Sequence, residues 1–283
     1  MPLIDIKELE DMAPLFRGRA GNILANGLMD ILKINAVNDL YDRHPDTVGP
    51  DFAADILADI GVNLEVYFEG SKVNSLTDII PEGPFITISN HPCGHIDGIA
   101  LIDLFGHIRP DYKVMVNEIL ARIKNMNCSF ITVTPTGNSR SAATASSIGG
   151  VREALQHLKE GHPLGFFPSG AVSDFSLKTM KVEDREWQEP LIRLIRKARV
   201  PIIPVRFYDG NSPFYYSLGL IDWRIRLLRL PSEVFNKADK TFRVGIGRPI
   251  SVTEQDRFGN DLNAFSTYLR SSVYNMFASF TDS

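Results

Sequence analysis

Cysteine is nearly absent: Cys93 and Cys128 are the only two in 283 residues, and no CxxC pair exists. A disulfide framework and a thiol-rich zinc site are both excluded as organising devices. A strong charge of one sign is lacking too, for the formal balance is only −4, so nothing global favours nucleic acid as a partner. No apolar run approaches the roughly 18 to 20 residues that a membrane-crossing helix needs. The opening Met1-Pro2-Leu3-Ile4-Asp5-Ile6 has neither the basic nor the apolar region of a signal peptide. The expectation is a reducing, cytoplasmic setting, with any lipid met peripherally at the inner face of the cell membrane.

Several motifs of catalysis are also missing. There is no GxSxG nucleophile elbow, no GxxxxGK[ST] phosphate loop and no HExxH metal pair. Gly245-Ile246-Gly247-Arg248-Pro249 lacks the third glycine and the helix start of a dinucleotide fingerprint. What these gaps leave is chemistry with no metal and no resident cofactor.

The periodicity that is present divides the chain. Ile23, Leu24, Leu28, Ile31, Leu32 and Val37 recur at near-helical spacing, and Phe52, Ile56, Leu57 and Ile60 form a second apolar face. The break at Arg43 to Pro50 predicts a two-helix N-terminal unit over residues 1–62, covering one face of the core. Residues 63–283 alternate short β-rich runs with helical stretches. The runs are Leu64 to Phe68, Phe85 to Ser89, Lys113 to Val116, Phe130 to Thr134, Leu164 to Phe167, Ile202 to Phe207 and Phe242 to Ile246. Such alternation predicts an α/β fold with a largely parallel central sheet flanked by helices. Ile148, Val151, Leu155 and Leu158 mark one helix that Gly161 can close, and Leu262, Phe265, Leu269, Val273 and Phe277 mark a last amphipathic helix over residues 262–280.

The chemistry concentrates in Ser89-Asn90-His91-Pro92-Cys93-Gly94-His95-Ile96-Asp97-Gly98, directly after an apolar strand. An imidazole at a strand end, with an acid close enough to hold its ring, is what general-base removal of a hydroxyl proton requires. The competing role for His91 is that of a hydrogen-bonded turn residue. Leu164 to Ser173 reads as a buried strand ending in a tight turn, Phe167-Pro168-Ser169-Gly170, where Gly170 lets the backbone approach a ligand and free N–H groups can meet an oxyanion. Val200 to Phe207 carries Pro201 and Pro204, which predict an irregular or partly unpaired edge. Thr136 to Ser141 is a polar turn containing Arg140.

Taken in this order, the segments resemble the glycerolipid (lysophosphatidic acid) acyltransferase superfamily, whose blocks read NHxxxxD, an arginine-bearing block, FPEGTRS and VPxxPV. The likeness extends over most of the chain after about residue 60. It is closest to the hemolysin-like branch, which includes O-acyltransferases of ornithine and glycine aminolipids. Trp187 and Phe207-Tyr208-Asp209-Gly210-Asn211-Ser212 look like that branch as well.

The resemblance implies transfer of a fatty acyl group from an acyl carrier protein or coenzyme A thioester to a lyso-lipid hydroxyl. His91 is then the base and Asp97 its partner, with no covalent acyl-enzyme. Asn90, Gly94, Arg140, Phe167, Pro168, Ser169 and Gly170 become the substrate-binding residues. Two departures shape the expectation. Five residues separate His91 from Asp97 where the family has four, so the turn at Gly94 must absorb one. Ser169 and Val172 stand where the family has Glu and Arg, which moves the expected acceptor from lysophosphatidic acid toward a lyso-ornithine or lyso-glycine lipid.

Other residues carry competing roles. Arg140 is either the anion-binding arginine or a surface charge flanking a helix, and Arg206 is a weaker candidate that could pair with a neighbouring carboxylate. His95 could replace His91 as base or simply begin a helix at the surface. Cys93 could be a nucleophile or a small turn filler. Residues 218–230 mix Trp223 with Arg224, Arg226 and Arg229, as a segment in a lipid interface would, or as a packed helix with a basic outer face. An acyl-thioester hydrolase and a non-catalytic lipid-binding relative are the rival functions.

Overall fold

A computed structural model of the chain describes residues 17–70, 75–133 and 145–276. The strands are β1 (Asn63–Phe68), β2 (Ile86–Ser89), β3 (Lys113–Asn117), β4 (Phe130–Val133), β5 (Leu164–Phe166), β6 (Asp174–Ser176), β7 (Lys181–Glu183), β8 (Ile202–Phe207) and β9 (Thr241–Ile246). The helices are α1 (Gly18–Ile31), α2 (Ile34–Asp42), α3 (Gly49–Asp59), α4 (His95–Gly106), α5 (Ala145–Lys159), α6 (Glu189–Ala198), α7 (Pro213–Ile221), α8 (Trp223–Phe235), α9 (Val252–Asp256) and α10 (Leu262–Tyr274).

All seven expected β-rich runs enter one sheet, in the order β1-β9-β8-β2-β5-β3-β4. Every neighbouring pair is parallel except β8 with β9. At the centre lies β2, hydrogen-bonded to β5 on one side and β8 on the other, with all four of its residues buried. Burial on both faces is why its sequence does not alternate. One side of the sheet packs Phe52, Ile56, Phe85, Phe105 and Phe242, and the other packs Phe166, Ile195, Phe265 and Leu269. The α/β reading stands.

Three details differ from expectation. The N-terminal region forms three helices rather than two, because Lys33 adopts a left-handed conformation (φ 60°) that separates α1 from α2. Helices α2 and α3 bury Val37, Leu40, Phe52 and Ile56 in the main core, whereas α1 turns its small face, Gly21 and Ala25 with Met29, inward. Half of the bulky stripe read as core is outside, Ile23 being 75 % exposed and Ile31 69 % with Leu24 exposed between them, while Leu28 and Leu32 are half-buried. Strand β8 is not an edge. Pro201 precedes the strand, and Pro204 is tolerated because the antiparallel pairing is interrupted between Ile202↔Ile250 and Val205↔Ile246, two residues on β8 facing three on the opposing segment. Finally, β6 and β7 form an unforeseen antiparallel hairpin.

Helix α5 places Arg152, Glu153 and Lys159 in solvent as expected, and Gly161, at φ 99°, follows it. Helix α10 buries Phe265, Leu269 and Val273, while Phe277 lies outside the described residues.

Candidate active site

The sheet delivers His91 just past the C-terminal end of β2, where crevices of α/β sheets open. The next turn is tight. Gly94 has φ 73° and ψ −118°, a conformation closed to most side chains, and a Cβ there would lie 3.0 Å from Leu230 Cδ1. That glycine absorbs the extra residue, and the first turn of α4 brings Asp97 back to the imidazole.

His91 Nδ1 lies 3.0 Å from Asp97 Oδ2, and the carboxylate is fully buried. The same oxygen accepts the N–H groups of Cys93 at 2.8 Å and Gly94 at 3.0 Å. Asp97 thus holds the ring and caps the start of α4 together. With Nδ1–H donated to the carboxylate, the imidazole presents Nε2 as a proton acceptor. The Phe167 ring stacks on the imidazole, with centroids 4.0 Å apart and planes at 29°.

A second carboxylate fixes the backbone of this unit. Asp184 Oδ1 accepts His91 N–H at 3.1 Å and the Ser173 hydroxyl at 2.6 Å, while Oδ2 accepts the indole N–H of Trp187 at 3.0 Å. Ser173 N–H donates in turn to the His91 carbonyl at 2.8 Å. Burial pushes the Asp184 carboxyl up, against the lowering effect of those hydrogen bonds. Sequence reading missed Asp184, and nothing local to Asp184 and Trp187 marks them as partners of a motif 93 positions away.

The expected substrate-binding residues fall differently. Asn90 is spent on the fold: its Nδ2 donates to the Phe207 carbonyl at 2.8 Å and its Oδ1 accepts Phe207 N–H at 2.8 Å, clipping β2 to β8. In the Phe167 to Gly170 turn, Gly170 N–H donates to the Phe167 carbonyl at 2.9 Å and the Ser169 hydroxyl to the Ala171 carbonyl at 2.8 Å. Pro168 accepts Gln188 N–H, and Gly170 (φ 65°) lies so close to the Gln188 side chain that a Cβ would clash. The Gly170 N–H and the Ser169 hydroxyl are therefore engaged within the turn, and Phe167 is the residue of that turn that stacks on the imidazole. Arg140 lies outside the described residues.

The alternatives at the motif also resolve. Cys93 is buried, its thiol donates to the Asp209 carbonyl at 3.4 Å, and burial with the Asp97 charge pushes its pKa well up. A thiolate nucleophile is suppressed. His95 does begin α4, but its Nδ1 is sealed without a partner among the described residues, and burial, then the neighbouring His91, lowers its pKa to about 4. It remains neutral at pH 7.

Arg206 meets no carboxylate among the described residues. It donates to the carbonyls of Tyr274 and Met276 and lies over the Tyr208 ring. Arg226, by contrast, is nearly fully buried: it donates to the Val172 and Ser173 carbonyls and pairs with Asp174. A cation from α8 thereby reaches the block where Val172 replaces an arginine, although there it serves the chain itself.

Beside the pair opens a cavity of about 1210 Å³, whose walls include Asn90, Pro92, Trp187, Phe207, Tyr208 and Tyr216. His91 is not part of its wall; the flanking Asn90 and Pro92 are. Among the described residues, no three His, Cys, Asp or Glu side chains gather as a metal would require.

Fold and site together define an α/β protein that carries a histidine–carboxylate pair past the end of its central strand. The chain belongs to the acyltransferase family, whose family model, described as Acyltransferase, matches residues 64–282. It is 25 % identical over 282 residues, 97 % of either chain, to a lyso-glycine lipid O-acyltransferase of Bacteroides thetaiotaomicron. A lyso-glycine lipid O-acyltransferase of Phocaeicola vulgatus is 24 % identical over 257 residues, 86 % of either chain. Among solved structures, the 1-acyl-sn-glycerophosphate (LPA) acyltransferase PlsC of Thermotoga maritima aligns with a TM-score of 0.46 and 17 % identity, covering 80 % of this chain and 79 % of that one. The resemblance to glycerolipid acyltransferases is borne out.

Proposed function

We propose that this chain is an O-acyltransferase that moves a fatty acyl group from an acyl carrier protein or coenzyme A thioester to the hydroxyl of a lyso-glycine lipid. The observation that carries this reading is the contact of His91 Nδ1 with buried Asp97 at 3.0 Å, at the mouth of the central strand. Nε2 takes the acceptor's hydroxyl proton as the oxygen attacks the thioester carbonyl. Collapse of the tetrahedral adduct breaks the C–S bond, and the imidazolium returns the proton to the departing thiolate. Ester and free thiol are the products, the Asp97 charge steadies the imidazolium between the two transfers, and Cys93 has no part.

Two observations support an acceptor without phosphate. Both curated relatives are named for lyso-glycine lipid. The buried guanidinium nearest the altered third block, Arg226, is already engaged by Asp174 and two carbonyls. The location that goes with this reading is peripheral, at the inner face of the cell membrane; among the described residues no helix is long and apolar enough to cross one. The exposed stripe of α1 and the α7–α8 corner, where Ile221 is 77 % exposed beside Trp223, are apolar surfaces suited to that location.

Mass spectrometry of products from mixed lyso-acceptors, with acyl carrier protein and coenzyme A thioesters tried separately, tests this directly. Diacylated glycine lipid from wild type and none from His91→Ala is the expected result. Faster turnover of lysophosphatidic acid would reverse the acceptor assignment. Release of fatty acid that ignores added acceptor would make the protein a thioester hydrolase.

A further inference from the structure

Between β6 and β7 the chain turns through Leu177-Lys178-Thr179-Met180, with Met180 in the left-handed region at φ 54°. The two large apolar residues of this turn point away from the protein: Leu177 is 68 % exposed and Met180 69 %. Leaving two such side chains in water at a tip forfeits burial that most turns avoid by using polar residues. Residues 176–182 also hold two lysines, Lys178 and Lys181, and no acid, in a chain whose net charge is −4. Both lysines are exposed.

The position of this tip gives it a purpose. Phe175, Lys181 and Val182 of the hairpin line the 1210 Å³ cavity from one side, and Pro213, Ser217 and Leu220 of α7 line it from the other. Hairpin and helix are joined beneath, where Phe175 packs against the cluster of Val172, Tyr215, Tyr216 and Leu230. Beyond Leu220, itself exposed, come Ile221 and Trp223. Two elements that line the cavity therefore each carry exposed apolar residues next to their lining positions, and the hairpin adds two lysines.

We propose that the β6–β7 tip inserts into an anionic leaflet alongside the α7–α8 corner, so that the lyso-lipid passes from the bilayer into the cavity between them. The inference rests on the acyl transfer proposed above, which requires an acceptor with one fatty chain to leave the membrane while its hydroxyl reaches His91. Leu177 and Met180 enter the acyl boundary, and Lys178 and Lys181 remain at head-group level to meet negative charge. An acidic carrier protein is the competing occupant of the same lysines. Two exposed apolar side chains favour lipid over that partner.

The test is flotation of the full chain with phosphatidylcholine vesicles, with and without phosphatidylglycerol, paired with acyl transfer to a vesicle-borne acceptor and to a short-chain, water-soluble one. Lys178→Gln should weaken partitioning to the anionic vesicles about fivefold and leave neutral vesicles unaffected. Leu177→Ser/Met180→Ser should lose binding to both vesicle types and turnover of the vesicle-borne acceptor, with melting temperature and turnover of the soluble acceptor unchanged. Variants that float and turn over vesicle-borne acceptor as wild type does would overturn the proposal. So would loss of soluble-acceptor turnover with carrier-protein thioester alone, which would assign the tip to the carrier. Wild type inert on both acceptors, yet floating through this hairpin, would instead overturn the acyl-transfer reading and retain the docking surface.

Discussion

Asp184 Oδ1 lies 3.1 Å from the backbone nitrogen of His91, so the imidazole is held by one carboxylate at its ring and by another at its main chain. Asp184 also gathers Ser173 and Trp187, which ties the motif after β2 to the loop after β5. In the mechanism proposed above it touches no reacting atom and positions the residue that does.

Asp184→Asn keeps the size of the side chain and removes one of its two accepting oxygens. Rotation or displacement of the His91 backbone should lower kcat by about 10- to 100-fold, because misplacement on the scale of an ångström carries such costs. KM for the acceptor should hardly move, since Asp184 is not in the cavity wall. Steady-state kinetics separate the two, and restored kcat in Asp184→Glu would mark a positional role. A matched fall in folded fraction and kcat, with no change per folded molecule, would mark a purely structural one.

Removing the base itself is more severe. His91→Ala should reduce acyl transfer by about 10²- to 10⁴-fold, the usual worth of a positioned proton acceptor. Asp97→Asn should lose a comparable factor by favouring the wrong tautomer, and about 0.5–2 kcal/mol of stability as well, because Asp97 also caps α4. His91→Ala lacks that second loss, so thermal melts of the pair distinguish ring support from capping.

Asn90→Ala should behave as a fold mutation. It strands the N–H and carbonyl of buried Phe207, at a cost of about 1–3 kcal/mol for each group left unsatisfied. Chemical denaturation should show the loss. An unchanged melt with a large rise in acceptor KM would restore Asn90 to the substrate site.

His95 sets an acid-side limit on stability. Its pKa falls from the ordinary 6.5 to about 4 in the folded chain. Between these values the unfolded chain binds a proton that the folded chain refuses, so stability declines as pH drops through that window, by up to about 3 kcal/mol. His95→Asn should flatten the decline between pH 6.5 and 4 in urea titrations. If His95 were the catalytic base, the same substitution would abolish turnover at pH 7.5.

The sheet was legible because buried parallel strands write themselves as short apolar runs, and Ile86-Thr87-Ile88 is such a run between turn signals. His91 and Asp97 were legible because six positions through a glycine turn is a local relation. The structural roles of Asn90, Asp184 and Arg226 were not, since each bonds to a residue more than 50 positions away that only the folded chain brings near. The β6–β7 hairpin escaped for another reason: its strands are three residues each, and Met180 occupies the left-handed position where a glycine or asparagine would have announced the turn. Helix α1 misled because amphipathic spacing identifies a stripe and does not say whether protein or another apolar medium covers it.

The left-handed turn at Gly94 bears on how kindred chains are sought. A template that demands a rigid interval from imidazole to acid passes over this protein, although the two groups touch. One that permits a single inserted residue, on condition that glycine sits at the bend, admits it and discards chance pairings of His with Asp.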